Sequence, residues 1–117
     1  MIDLYGIPNC NTMKKARSWL DAHAIDYTFH NYKTEGISTD QLRSWAAAVG
    51  WELLLNRRGT TWRKLDAAQK EQIDAASAID LMATYPSMIK RPVLVRGDHI
   101  EVGFSEAGYA ALFGVEA

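Results

Sequence analysis

Ile2-Asp3-Leu4-Tyr5-Gly6-Ile7-Pro8-Asn9-Cys10-Asn11-Thr12-Met13 changes character twice in one short stretch. Residues 2–5 are apolar-leaning, as in a strand, and Gly6-Ile7-Pro8-Asn9 is a cluster of turn formers that ends it. From Thr12 the apolar spacing becomes helical: Met13, Ala16 and Leu20 share a stripe with Trp19 beside them, while Lys14, Lys15, Arg17 and Asp21 fall elsewhere. Cys10 therefore sits on a strand-to-helix loop, just ahead of the helix.

Outward from this stretch, residues 26–32 alternate and carry Tyr27, Phe29 and Tyr32, which predicts a second strand parallel to the first. The two strands and the helix between them make a βαβ unit. Ser38 with Gln41 three residues on is a capping-box pattern, followed by Leu42, Trp45, Ala46 and Val49 at helical spacing and by Gly50 as a stop. A short helical turn after Trp51 gives way to the loop Asn56-Arg57-Arg58-Gly59-Thr60-Thr61-Trp62-Arg63-Lys64, which holds four cations and no acid. The Ala-rich run from Asp66 to about Thr84 predicts helix, in one piece or two, stopped by Tyr85-Pro86-Ser87. Val93-Leu94-Val95-Arg96 and His99-Ile100-Glu101-Val102 flank Gly97-Asp98, the spacing of a two-residue hairpin, and Ser105 caps a last helix to about Leu112.

This order describes an α/β chain. An initial βαβ and a final ββα assemble a thioredoxin-like fold with a mixed four-stranded sheet, and the block at about 38–85 is a helical insertion. The 117 residues read as one domain, long enough to bury a core without disulfides or metal. An apolar fraction of 48% and a charged fraction of 23% are those of an ordinary globular protein, and no segment suits a membrane span. The N-terminus lacks the basic start and apolar run of a secretory signal, so a cytoplasmic location is expected. A single cysteine agrees with a reducing compartment and excludes an internal disulfide, so any disulfide chemistry is intermolecular. The net charge of −1 argues against general nucleic-acid binding, and His23, His30 and His99 show no metal-ligand spacing. Neither a metal nor a bound cofactor is expected.

A thiol attacks as the thiolate, and a free cysteine is only about 3% ionised at neutral pH. The loop position offers help, because unpaired N–H groups and the positive end of the helix dipole favour an anion there. Asn9, Asn11 and Thr12 are candidate donors or caps. A lone cysteine taken blind is more often a small inert residue, but a turn between a strand and an amphipathic helix presents its sulfur at the edge where open α/β sheets place their sites.

Two further constellations carry chemistry. In Lys90-Arg91-Pro92, ahead of the third strand, a cis proline would expose backbone for pairing with an extended ligand while Arg91 supplies a charge for a carboxylate or oxyanion. A trans proline that merely starts an edge strand is the reading the residues alone favour. In the basic loop, Arg57, Arg58, Arg63 and Lys64 form either a small anion pocket or, more commonly, a solvated face.

Taken together, Tyr5-Gly6-Ile7-Pro8-Asn9-Cys10-Asn11-Thr12, Leu54-Leu55-Asn56-Arg57-Arg58-Gly59-Thr60-Thr61-Trp62 and Ile89-Lys90-Arg91-Pro92-Val93-Leu94 with Val102-Gly103-Phe104 resemble the arsenate-reductase-like (ArsC/Spx) family, in particular its small YffB-type branch. The resemblance spans essentially the whole chain in order. It implies a thioredoxin-like domain with a helical insertion, a catalytic cysteine at Cys10 and a cis proline at Pro92, and it reverses the odds on Pro92 and Arg91. Arsenate reductases of the family hold the oxyanion with three arginines. Only Arg91 falls on one of those positions here, with Asn56 and Phe104 at the other two and Arg57 or Arg58 as candidate substitutes. Spx members are transcription regulators that bind RNA polymerase and often switch through C-x-x-C, whose fourth place here is Met13. The expected function is thus a glutathione-dependent thiol reductase with Cys10 as nucleophile. Glutathione is its co-substrate, a thiol or disulfide its substrate and glutaredoxin a further partner of the family. Asn9, Asn11, Thr12, Arg57, Arg58, Arg91 and Pro92 form the binding set. Arsenate reduction coupled to glutathione or glutaredoxin, and Spx-like regulation, are the alternatives.

Overall fold

The computed structural model describes residues 2–8 and 10–115. In chain order the elements begin with β1 (Ile2–Gly6), α1 (Asn11–Ala22), β2 (Thr28–Asn31), α2 (Tyr32–Glu35), α3 (Thr39–Val49) and α4 (Trp51–Leu54). They continue with α5 (Thr60–Arg63), α6 (Ala67–Glu71), α7 (Ala75–Thr84), a 3-10 turn (Pro86–Met88), β3 (Val93–Arg96), β4 (His99–Val102) and α8 (Glu106–Phe113). They fall into two compact units, one running to Asn31 and resuming at Arg91, the other Tyr32–Lys90.

The first unit is a four-stranded sheet in the order β2-β1-β3-β4, with β1 parallel to β2 and antiparallel to β3, and β3 antiparallel to β4. This is the thioredoxin-like mixed sheet that the βαβ and ββα segments predict. Leu4 stands opposite both Phe29 and Leu94, so the centre of the sheet is apolar. The helical stripe is borne out: Met13, Ala16, Trp19 and Leu20 of α1 are buried against Leu4, Leu94, Tyr109 and Ala110. Each large side chain buried in this way contributes about 1.5–3 kcal/mol. Trp19 and Phe104 both meet the Tyr109 ring edge-on, at 5.6 and 4.7 Å between centroids. Burial, with the Glu101 carboxylate adding to it, pushes the Tyr109 phenol up.

The helical unit begins at Tyr32 rather than near Ser38. Tyr32, expected in the second strand, starts α2 instead, and its fully buried hydroxyl donates toward the carbonyls of Ile89 and Lys90 at 3.4 and 3.3 Å. Tertiary anchoring therefore overrides the alternation that continued the strand. Ser38 caps α3 by accepting from the Gln41 N–H at 3.1 Å, and α3 packs on α4 and α7. The Ala-rich stretch divides because each half has its own cap: Asp66 accepts from the Gln69 N–H and Asp74 from the Ser77 N–H, at 2.8 and 2.9 Å, with reciprocal side-chain bonds. The segment expected as an open loop at 56–64 closes its second half into α5, where Lys64 N–H reaches the Thr60 carbonyl at 3.1 Å.

Gly6 tests the seam between β1 and α1. A Cβ there would collide with Sδ of Met13 and lie 2.6 Å from its Cε, and Met13 is fully buried. Gly6→Ala is expected to destabilise the protein by about 1–3 kcal/mol in chemical denaturation, the usual effect of overpacking. A midpoint equal to that of the parent would show that the thioether relocates freely.

Candidate active site

Cys10 is itself the N-cap residue of α1, extended at φ −127° and ψ 130°, and its carbonyl accepts the Lys14 N–H at 3.0 Å. The helix must begin here because the turn formers end just before it and the apolar stripe starts just after. No side chain caps α1, so its first N–H groups face the cysteine. The partly exposed sulfur packs against the core formed by Leu4, Met13 and Leu94. Burial pulls the Cys10 thiol up, but the Met13 N–H, the Arg91 guanidinium hydrogen bond, the Thr12 N–H and the Arg91 charge outweigh it. The net result is a thiol below its ordinary value.

Arg91 and Cys10 thus share the sheet unit. The Arg91-Pro92 peptide bond is cis, as the family resemblance implies and against the reading favoured by the residues alone. The buried Pro92 places its carbonyl 2.8 Å from the Gly103 N–H, which ties the start of β3 to the end of β4. Thr12 acts through its backbone, whereas the side chains expected from Asn11 and Thr12 as caps form no such bond. Asn9 lies outside the described residues.

Arg57 and Arg58 belong to the helical unit. There they line a cavity of about 290 Å³ with Lys90, Asn56, Leu55 and Glu52. Asn56 Oδ1 accepts the Arg58 N–H at 3.1 Å, Arg57 lies over the Trp62 ring, and the Arg63 guanidinium donates to the Arg58 carbonyl at 2.8 Å. The Lys90 N–H bonds the Leu54 carbonyl at 2.7 Å, which brings that lysine to the basic loop. Sequence reading grouped Lys90 with Arg91, yet the two neighbours serve different units. Among the described residues no cluster of three or more metal-ligating side chains occurs, and no helix is long and apolar enough to cross a membrane.

A family model for the ArsC family matches residues 5–112. The chain belongs to the ArsC family. Among curated proteins it is 40% identical over 113 residues to an uncharacterized protein of Haemophilus influenzae, covering 97% of this chain and 99% of that protein. It is 32% identical over 108 residues to the global transcriptional regulator Spx 1 of Lactococcus lactis, covering 91% of this chain and 84% of the regulator. Among solved structures, the YFFB protein is 57% identical with a TM-score of 0.91, over 95% of this chain and 97% of that one. An arsenate reductase (ArsC) related protein from Brucella melitensis is 54% identical with a TM-score of 0.78, over 97% and 95%. This ArsC-family member therefore groups with arsenate-reductase-related and Spx proteins, on a shared thioredoxin-like fold.

Proposed function

We propose that this ArsC-family protein is a glutathione-dependent thiol reductase whose single nucleophile is Cys10. The observation that carries the reading is the placement of Cys10 at the N-cap of α1, where the Met13 and Thr12 N–H groups and Arg91 lower its thiol. That environment favours the thiolate, the form of cysteine that attacks, over the thiol. The Cys10 thiolate attacks one sulfur of a disulfide, forming a mixed disulfide as the other sulfur leaves as thiolate. A glutathione thiolate then attacks at the Cys10 sulfur, expelling the remaining substrate thiolate and leaving Cys10 bonded to glutathione. A second glutathione attacks the glutathione sulfur, releasing oxidised glutathione and the Cys10 thiolate. One disulfide and two glutathiones become two thiols and glutathione disulfide, so electrons and protons balance. Arg91 holds a carboxylate of the tripeptide alongside the backbone at Pro92, and Arg57 with Arg58 forms an anion-binding cavity in the helical unit.

Incubation with glutathione disulfide is expected to yield a one-glutathione adduct mapped to Cys10 and reversed by reduced glutathione, with disulfide turnover dependent on glutathione. Failure of the adduct to form, or turnover unchanged in Cys10→Ser, would refute the proposal. The Spx relatives support a regulatory reading, in which this protein would bind RNA polymerase. Capture of the polymerase equally well by Cys10→Ser protein is the result that would favour it.

A further inference from the structure

A cavity of about 820 Å³ in the sheet unit takes no part in the chemistry just described. It is a groove along α1, from Lys14 to His23, facing Phe104, Ser105 and Glu106 at the start of α8. At 1.5 Å per residue this is about 13 Å of helix, the length of about four residues of extended chain. Its lining is mainly apolar: exposed Ala22 and half-buried Phe104 form its surface, over a Trp19 ring that is itself buried. His23 closes one end in a fixed pose, stacked on Trp19 with ring centroids 3.9 Å apart and bonded through Nδ1 to the Trp19 carbonyl at 2.8 Å.

The charge around the groove is uneven. Lys14 and Lys15 are exposed on the α1 side, and neither ammonium meets a carboxylate among the described residues. Glu106 stands on the α8 side. An occupant with carboxylates is therefore attracted toward α1 and repelled from α8, which fixes its orientation as well as its sign. A purely apolar occupant would leave both lysines unused, and a basic one would meet them directly.

We propose that this groove docks an extended acidic segment of a partner protein, with one bulky apolar side chain between Ala22 and Phe104 and carboxylates at Lys14 and Lys15. The Lys14 N–H bonds the Cys10 carbonyl, so the docked segment lies one helical turn from the reactive sulfur. Docking does not require the redox step and is measured on Cys10→Ser protein, which separates its failure from failure of the reductase reading.

The test is fluorescence anisotropy with labelled octapeptides rich in Asp and Glu around a central Leu-Phe pair. Saturable binding is expected, weakened at least about tenfold when the acids are replaced by their amides or when Lys14→Glu and Lys15→Glu are combined. The pair Arg43→Glu and Lys70→Glu, with the same change in net charge elsewhere, should leave affinity unchanged. Ala22→Trp, at an exposed position where a large side chain fills the groove without entering the core, should abolish binding while circular dichroism shows an intact fold. Lack of saturable binding, equal loss in the control pair, or full affinity in Ala22→Trp would overturn the proposal. So would displacement of the peptide by S-methylglutathione, which would make the groove the tripeptide's own site. Dimerisation of the chain that Ala22→Trp dissolves would make it a self-interface and overturn the proposal as well.

Discussion

Arsenate, supplied with glutathione and glutaredoxin, is expected to be captured about a hundredfold to ten-thousandfold less well than a family member with the full arginine set captures it. A tetrahedral oxyanion beside a thiolate is an anion next to an anion, so its binding depends on several fixed cationic donors. The resemblance to arsenate reductases implies three arginine positions and matches them to Arg91, Asn56 and Phe104, with Arg57 or Arg58 as candidate replacements. Asn56 uses its side-chain oxygen to accept the Arg58 N–H, and Phe104 is an aromatic ring packed edge-on against Tyr109. Neither supplies a charged donor, and each lost charge-assisted hydrogen bond costs about 1.5–3 kcal/mol. A disulfide brings little charge to the sulfur and does not need the set. Disulfide turnover that outstrips arsenate turnover is therefore the expected pattern in parallel assays on one preparation. Arsenate turnover comparable to that of disulfide would show that other donors had taken over, and arsenate reduction would become the leading activity.

Features set by local chemistry were legible in the sequence. Turn formers followed by a helical stripe placed Cys10 at the start of α1, and Gly97-Asp98 between alternating runs gave the β3–β4 hairpin, with Gly97 at φ 58°. What escaped was set by tertiary anchoring or by very short range. Tyr32 left the strand because its hydroxyl is held by the carbonyls of Ile89 and Lys90, partners distant in sequence. The α5 turn spans only Thr60–Arg63, too few residues to show a period. At the site, the helix-start N–H groups expected to favour the thiolate do lower the Cys10 thiol, through Met13 and Thr12 together with Arg91, whereas the Asn11 and Thr12 side chains form no cap. Backbone donors leave no trace in residue identity beyond the position of the helix start, which was available as a signal. In the sequence Lys14 only falls off the apolar stripe and His23 only lacks metal-ligand spacing; the placement of α8 beside α1 makes them walls of one groove.

Arg91→Leu is expected to slow alkylation of Cys10 by iodoacetamide near neutral pH by about tenfold, the loss of one charge-assisted hydrogen bond at the lower end of its range. Burial raises the Cys10 pKa, while Met13, Arg91 and Thr12 lower it, with Arg91 acting by both hydrogen bond and charge. Removing the guanidinium withdraws two of the lowering influences and leaves burial in place, so the rate profile moves to higher pH. The limiting rate at high pH should change little, because the thiolate, once formed, remains the same nucleophile. Arg91→Lys should fall between, since an ammonium restores charge without the planar fork. The stability of the reduced protein carries the same information. A thiol lowered on folding favours the ionised form, so its stabilising contribution is present above the unfolded-state pKa and is lost as pH falls through the folded one. In denaturation series taken upward through that window, the parent should gain stability that Arg91→Leu gains less of. A coincident pH profile for parent and Arg91→Leu in both measurements would mean that the helix N–H groups alone hold the thiolate, and Arg91 would then act on substrate only.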